Sequence, residues 1–144
     1  MSAWPLHHLD VRTFAYATEV DDRVREAMQQ VVGETPAIET TESTGHGGAP
    51  ITILHARIER TTAITQVIDR LGDRIETTPT ALRDRITADA ELYLAVDKQA
   101  AYKGEVRAGE GIAIRCKIEA YPATPSNTTA AAAPLIDHLV TTST

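Results

Sequence analysis

Lysine is scarce in this chain: there are three in 144 residues, and all three lie between positions 98 and 117. With 20 carboxylates against 14 lysines and arginines, the formal net charge is -6. That balance argues against indiscriminate attraction to polyanions. It suits a salt-rich cytoplasm, where dense carboxylates keep a protein hydrated and long-range attraction to phosphate is screened. Cysteine is limited to Cys116, which excludes an internal disulfide and a multi-thiolate zinc site within one chain. One tryptophan, one phenylalanine and four tyrosines leave a lean core of Ile, Val, Leu and Ala. No apolar run approaches the roughly 20 residues of a membrane span. The N-terminus also lacks a basic region followed by an apolar one, which argues against a secretory signal. The expectation is a cytoplasmic protein with no membrane partner, built as one domain with a real core.

What is present is a readable series of elements. Residues 8–17 alternate as a strand, with Leu9, Val11, Thr13 and Ala15 on one face and Asp10, Arg12, Phe14 and Tyr16 on the other. Thr18 is placed to cap a helix whose stripe is Val24, Ala27, Met28, Val31 and Val32, with Gly33 to end it. Residues 34–50 read as a polar connection. A second strand spans 51–59, and Thr61 or Thr62 caps a helix with the stripe Ile64, Val67, Ile68 and Leu71. Thr78-Pro79 starts a short third helix. Strands follow at 92–97 and 112–119, the latter alternating Ile112, Ile114, Cys116 and Ile118 inward.

This order specifies an α+β domain over residues 1–121: a mostly antiparallel sheet of about four strands, with helices packed on one face. Residues 122–144, with their prolines and run of alanines, read as a low-complexity tail. Leu135, Ile136, Leu139 and Val140 could form one docking turn or a handle for a partner, with a floppy tail the expectation. A chain ending at residue 121 is expected to melt within a few degrees of the full one.

A helix layer on one side leaves the other sheet face open. By alternation that face presents Arg12, Phe14, Tyr16, His55, Arg57, Tyr93, Arg115 and Lys117. Cations beside aromatic planes suit unpaired nucleotides, whose phosphates pair with the cations and whose bases stack on the rings. A homodimer or scaffold contact through Phe14 and Ile53 is the alternative. The segment 98–117 adds a local signal, since Lys98, Lys103, Arg107, Arg115 and Lys117 stand against Glu105 and Glu110 for a charge of about +3. These five are the candidate phosphate contacts, with Tyr93 or Tyr102 available for stacking and Arg12 and Arg57 beside them. Lys98 could equally pair with Asp97 or Glu105. Gln99 could meet a base edge or cap the turn.

The run Leu92-Tyr93-Leu94-Ala95-Val96-Asp97-Lys98-Gln99-Ala100-Ala101-Tyr102-Lys103-Gly104 resembles the signature Leu-Tyr-Leu-Arg-(apolar)-Asp-Lys-Gln-Ala-Ala-Tyr-x-Gly. That signature belongs to the archaeal RNA-binding proteins described as predicted exosome subunits. Ala17-Thr18-Glu19 and Gly47-Gly48-Ala49-Pro50-Ile51 are similar to that family's first helix start and second strand entry. The resemblance covers roughly residues 8–119. It implies a ribosomal-protein-like α+β fold, an RNA partner, membership of an RNA-processing complex and no known catalysis. No cofactor is expected. Ala95 departs from the pattern, standing where the family commonly has arginine.

Other chemistry is weakly represented. The loop Gly45-His46-Gly47-Gly48 matches neither the Walker pattern nor the dinucleotide fingerprint, and reads as a turn. The five histidines show no helical pair flanking a carboxylate, so no metal site is expected. No Ser-His-Asp order stands out.

Overall fold

β1 (Leu6–Tyr16) is the longest strand and lies at the centre of the sheet, paired on both sides. The computed structural model describes residues 4–16, 21–33, 36–44, 46–72, 74–75 and 77–140. After β1 come α1 (Asp21–Val32), β2 (Glu39–Thr44), β3 (Pro50–Ile58), α2 (Thr61–Leu71) and α3 (Pro79–Arg83). The chain continues through β4 (Glu91–Asp97), α4 (Lys98–Tyr102), β5 (Gly111–Ile118) and α5 (Pro125–Leu139). The five strands are ordered β2-β3-β1-β5-β4, and every pairing is antiparallel. The α+β class and the helix-covered sheet are as expected.

Alternation places one face of each inner strand in the core. Leu9, Val11, Leu54, Ile58, Ile112 and Ile114 pack beneath the stripes of the helices, and Val24, Val67 and Leu82 are each fully buried. Thr13 sits on the same buried face and resolves its hydroxyl by donating to the Gly111 carbonyl (2.7 Å). Thr78 caps α3 by accepting from the Ala81 N–H, with Pro79 in the first turn. The cap expected at Thr18 lies outside the described residues.

Three expectations are corrected. The connection 34–50 contains β2, which pairs with β3 along its whole length. Both of its faces are exposed, so it shows no apolar alternation, and its threonines and its neighbour make it a strand. α2 is capped at Arg60, without a side-chain bond, and Thr61 is already helical.

The third correction concerns residues 122–144, which hold α5. Ala132, Leu135, Ile136 and Leu139 of this helix are buried in the common core. Thr124 caps it by accepting from the Asn127 N–H, Pro125 begins it, and the alanine run propagates it. The Ile75 N–H donates to the Leu139 carbonyl (3.0 Å), and Trp4 stacks 4.8 Å from His138. Low complexity here is helix-forming spacing between a good cap and one apolar turn.

Candidate nucleic-acid interface

The strand register arranges the open face in rows. Asp10 stands between Arg57 and Arg115, and Tyr93 lies beyond Arg115. Arg12 stands between His55 and Ala113, with Ala95 beyond. Lys117 lies between His8 and Glu91. At the other end Phe14 and Tyr16 oppose Ile53 and Ile51. The structure therefore brings together five of the expected site residues: Arg12, Arg57, Tyr93, Arg115 and Lys117.

Polar contacts hold this face in place. His55 Nε2 donates to Asp10 Oδ1 at 3.0 Å, and His8 Nε2 lies 3.5 Å from the other carboxylate oxygen. Arg57 donates to His8 Nδ1 at 3.1 Å. Burial, and then the Arg57 charge, hold His8 below its usual 6.5. The Arg115 guanidinium lies 5.1 Å from the centre of the Tyr93 ring and 3.8 Å from a Glu91 oxygen. Such a pair presents a charge and an aromatic plane together. The Lys117 ammonium donates to the Asp89 carbonyl of the loop before β4.

The rest of the basic tract is dispersed. Lys98 is buried at the start of α4, where its ammonium donates to the Phe14 carbonyl (2.6 Å) and lies 5.3 Å from the Tyr16 ring centre. Its stem crosses Gly111, where a Cβ would stand 2.4 Å from the Cβ of Lys98; at φ 116° that position favours glycine on both counts. Asp97 accepts from the Ala100 N–H as the cap of α4. Lys103 and Arg107 are exposed on the loop beside the edge of β4, which Ala108 bridges at Val96. The half-buried Tyr102 turns to the helix layer, 5.5 Å beneath the Arg23 guanidinium. Gly104 takes φ 81° where this turn reverses.

Phe14 and Tyr16, which were not among the expected site residues, have rings 6.4 Å apart and are 37% and 51% exposed. Their alternation was visible; their bordering of a hollow of ≈ 720 Å³ was not. Small residues, Ala95, Ala113 and Gly111, form its floor, with Arg12, Lys98 and Gln99 around it. No group of three or more His, Cys, Asp or Glu among the described residues is placed to hold a metal ion. Burial pushes the Cys116 thiol up to about 12, so it is a core side chain without nucleophilic character. No helix among the described residues is long and apolar enough to cross a membrane.

The architecture is that of a single-sheet α+β module, an antiparallel sheet backed by helices whose open face carries arginines and aromatic rings. A family model described as RNA binding matches residues 8–120, and the chain belongs to that family. The RNA-binding protein PAB1135 of Pyrococcus abyssi is 29% identical over 129 residues, covering 81% of this chain and 84% of its own. Among solved structures, a DUF54 protein from Methanothermobacter thermautotrophicus is 30% identical with a TM-score of 0.76, covering 91% of this chain and 98% of its own. Protein AF2318 from Archaeglobus fulgidus, also of the DUF54 family, is 25% identical with a TM-score of 0.79, covering 90% and 99%. An archaeal RNA-binding family, as expected from the signature ending at Gly104, is thus matched, while the exosome-subunit description of that family finds no support in these names.

Proposed function

We propose that this protein is a non-catalytic RNA-binding module that receives RNA on the open face of its sheet, as an accessory of RNA processing, the exosome included, or of translation. The observation that carries the reading is that Arg57, Arg12 and Arg115 stand on the open face of neighbouring strands, in two adjacent rows, with exposed rings beside them. Three cations on a rigid sheet follow a phosphate chain without ordering flexible loops, and the rings add contact that salt does not screen. Lys103 and Arg107 extend the positive field along the edge of β4. The name of the Pyrococcus abyssi relative and the matched family support RNA as the partner.

The test is RNA affinity across a salt series. Arg12→Ala/Arg57→Ala/Arg115→Ala should weaken binding and flatten the log–log salt slope by up to about three units, roughly one for each phosphate no longer neutralised. Lys103→Ala/Arg107→Ala should change it less. Unchanged binding in the first variant would move the site off the sheet. The second reading, a dimer through this face, is favoured by Ile51 and Ile53 beside Tyr16 and Phe14. It predicts a concentration-dependent dimer in sedimentation, abolished by Phe14→Glu, and no RNA binding by the monomer.

A further inference from the structure

We propose that the hollow at the α4 end of the open face is a slot for one unpaired nucleobase, so that the RNA taken is single-stranded. This rests on the reading of the sheet as the RNA-binding face and specifies which form of RNA fits it. From Arg12 across β5 to β4, the outward positions are Ala113 and Ala95, paired in register. Two methyl groups in a row leave a depression where longer side chains would fill the surface. Gly111 extends it in the next row, because it carries no side chain and lets the Lys98 stem lie across it.

The walls suit a flat, partly apolar ring with a charged tether. Phe14 and Tyr16 border one side, tilted 35° to each other and held as neighbours on one strand. The Lys98 ammonium, on the Phe14 carbonyl and over the Tyr16 ring, ties that wall to α4. Tyr93 and Arg115 stand outside the hollow, two residues along each strand from Ala95 and Ala113 and so about 7 Å beyond them. Gln99 on α4 offers both a donor and an acceptor to a base edge. Glu110 also lines the hollow, and its carboxylate disfavours phosphate there. The tethering phosphate therefore lies on the Arg12 side. Stacked bases in an A-form duplex cannot present a face to such a slot, whereas splayed bases of a single strand can.

The experiment uses the full chain, a labelled unstructured RNA oligonucleotide and the duplex of the same sequence. Wild type should bind the single strand at least about tenfold more tightly than the duplex. Ala113→Leu fills the slot at an exposed position without removing a charge. It should weaken single-strand binding about tenfold, the scale of losing one stacked base, with the salt slope and thermal melt unchanged. Ala95→Leu is the independent filling variant and should act alike. Duplex bound as tightly as single strand, or both filled variants binding like wild type, overturns the slot while the sheet-face reading stands if the arginine variant still loses affinity. Failure of wild type to bind either RNA overturns both.

Discussion

On the helix-covered face of the sheet, Leu9, Val11, Leu54, Ala56, Leu94, Ile112 and Ile114 are all at or below 3% exposure. Their chain neighbours on the opposite face include Asp10, Arg12, His55, Arg57, Tyr93 and Arg115, and carry charges and rings. The same backbone hydrogen bonds serve both sets. The buried set derives its energy from water exclusion and tolerates no change in volume. The outer set contributes little to stability because its charges remain in water, and it is therefore free to be chosen for recognition. One sheet thus separates the folding face from the face proposed for binding by alternation along each strand.

The largest effect that would break this comparison lies outside the sheet. If α5 is part of the buried layer, a chain ending at residue 121 loses the burial of Leu135, Ile136 and Leu139. At about 1.5–3 kcal/mol each, that is on the order of the whole stability of a domain. Circular dichroism should then show no cooperative thermal transition; a melt within a few degrees of the full chain would return 122–144 to the status of a tail.

Single substitutions on the two faces sharpen the contrast. Leu9→Ala should cost about 2–5 kcal/mol in denaturant unfolding. Arg57→Ala, although it removes the donor to His8, should stay within about 0.5–1 kcal/mol and act instead on RNA affinity. Equal losses from both would mean that the outer network is structural.

Lys98 is the residue that crosses the division. A cation in the basic tract but buried, it should behave as a structural group: Lys98→Met leaves the Phe14 carbonyl without this donor and should cost about 1–3 kcal/mol. Lys103→Ala, on an exposed loop, should cost within about 0.5 kcal/mol. Matching melting temperatures for the two variants would refute the distinction.

The smallest expected effect concerns His8. Because its folded pKa lies below 6.5, the unfolded chain takes up this proton at higher pH than the folded one. Its contribution to stability is fully present above 6.5 and declines as pH falls below it, until the folded form is also protonated. Urea unfolding over that range should be flatter with pH in His8→Asn than in wild type. An unchanged pH profile would show that Arg57 and burial do not bear on this ring.

Much of the fold was legible because its signals are local. Parity along β1 and β5, the stripes of α1 and α2, and the Thr78-Pro79 start all lie within a few residues of chain and report directly on which side is buried. β2 was illegible because both its faces are wet, and α5 because its apolar residues are few and gain meaning only from the pocket that receives them. Of the site, the outward parity of Arg12, Arg57, Tyr93, Arg115 and Lys117 was readable. The inward turn of Lys98 and of Tyr102 was not, since charge density along a chain carries no direction. By itself, then, the sequence determined which residues alternate, that a short helix starts at Thr78-Pro79 and which family signature the segment ending at Gly104 carries. Only the tertiary structure decided the order β2-β3-β1-β5-β4, and with it that Arg12 stands beside Ala113 and Ala95 rather than beside another charge. The reason is physical: register is set by pairing between strands distant in sequence, where the closing of long loops and the fit of the buried face choose one alignment, and no local pattern encodes the neighbour across the sheet.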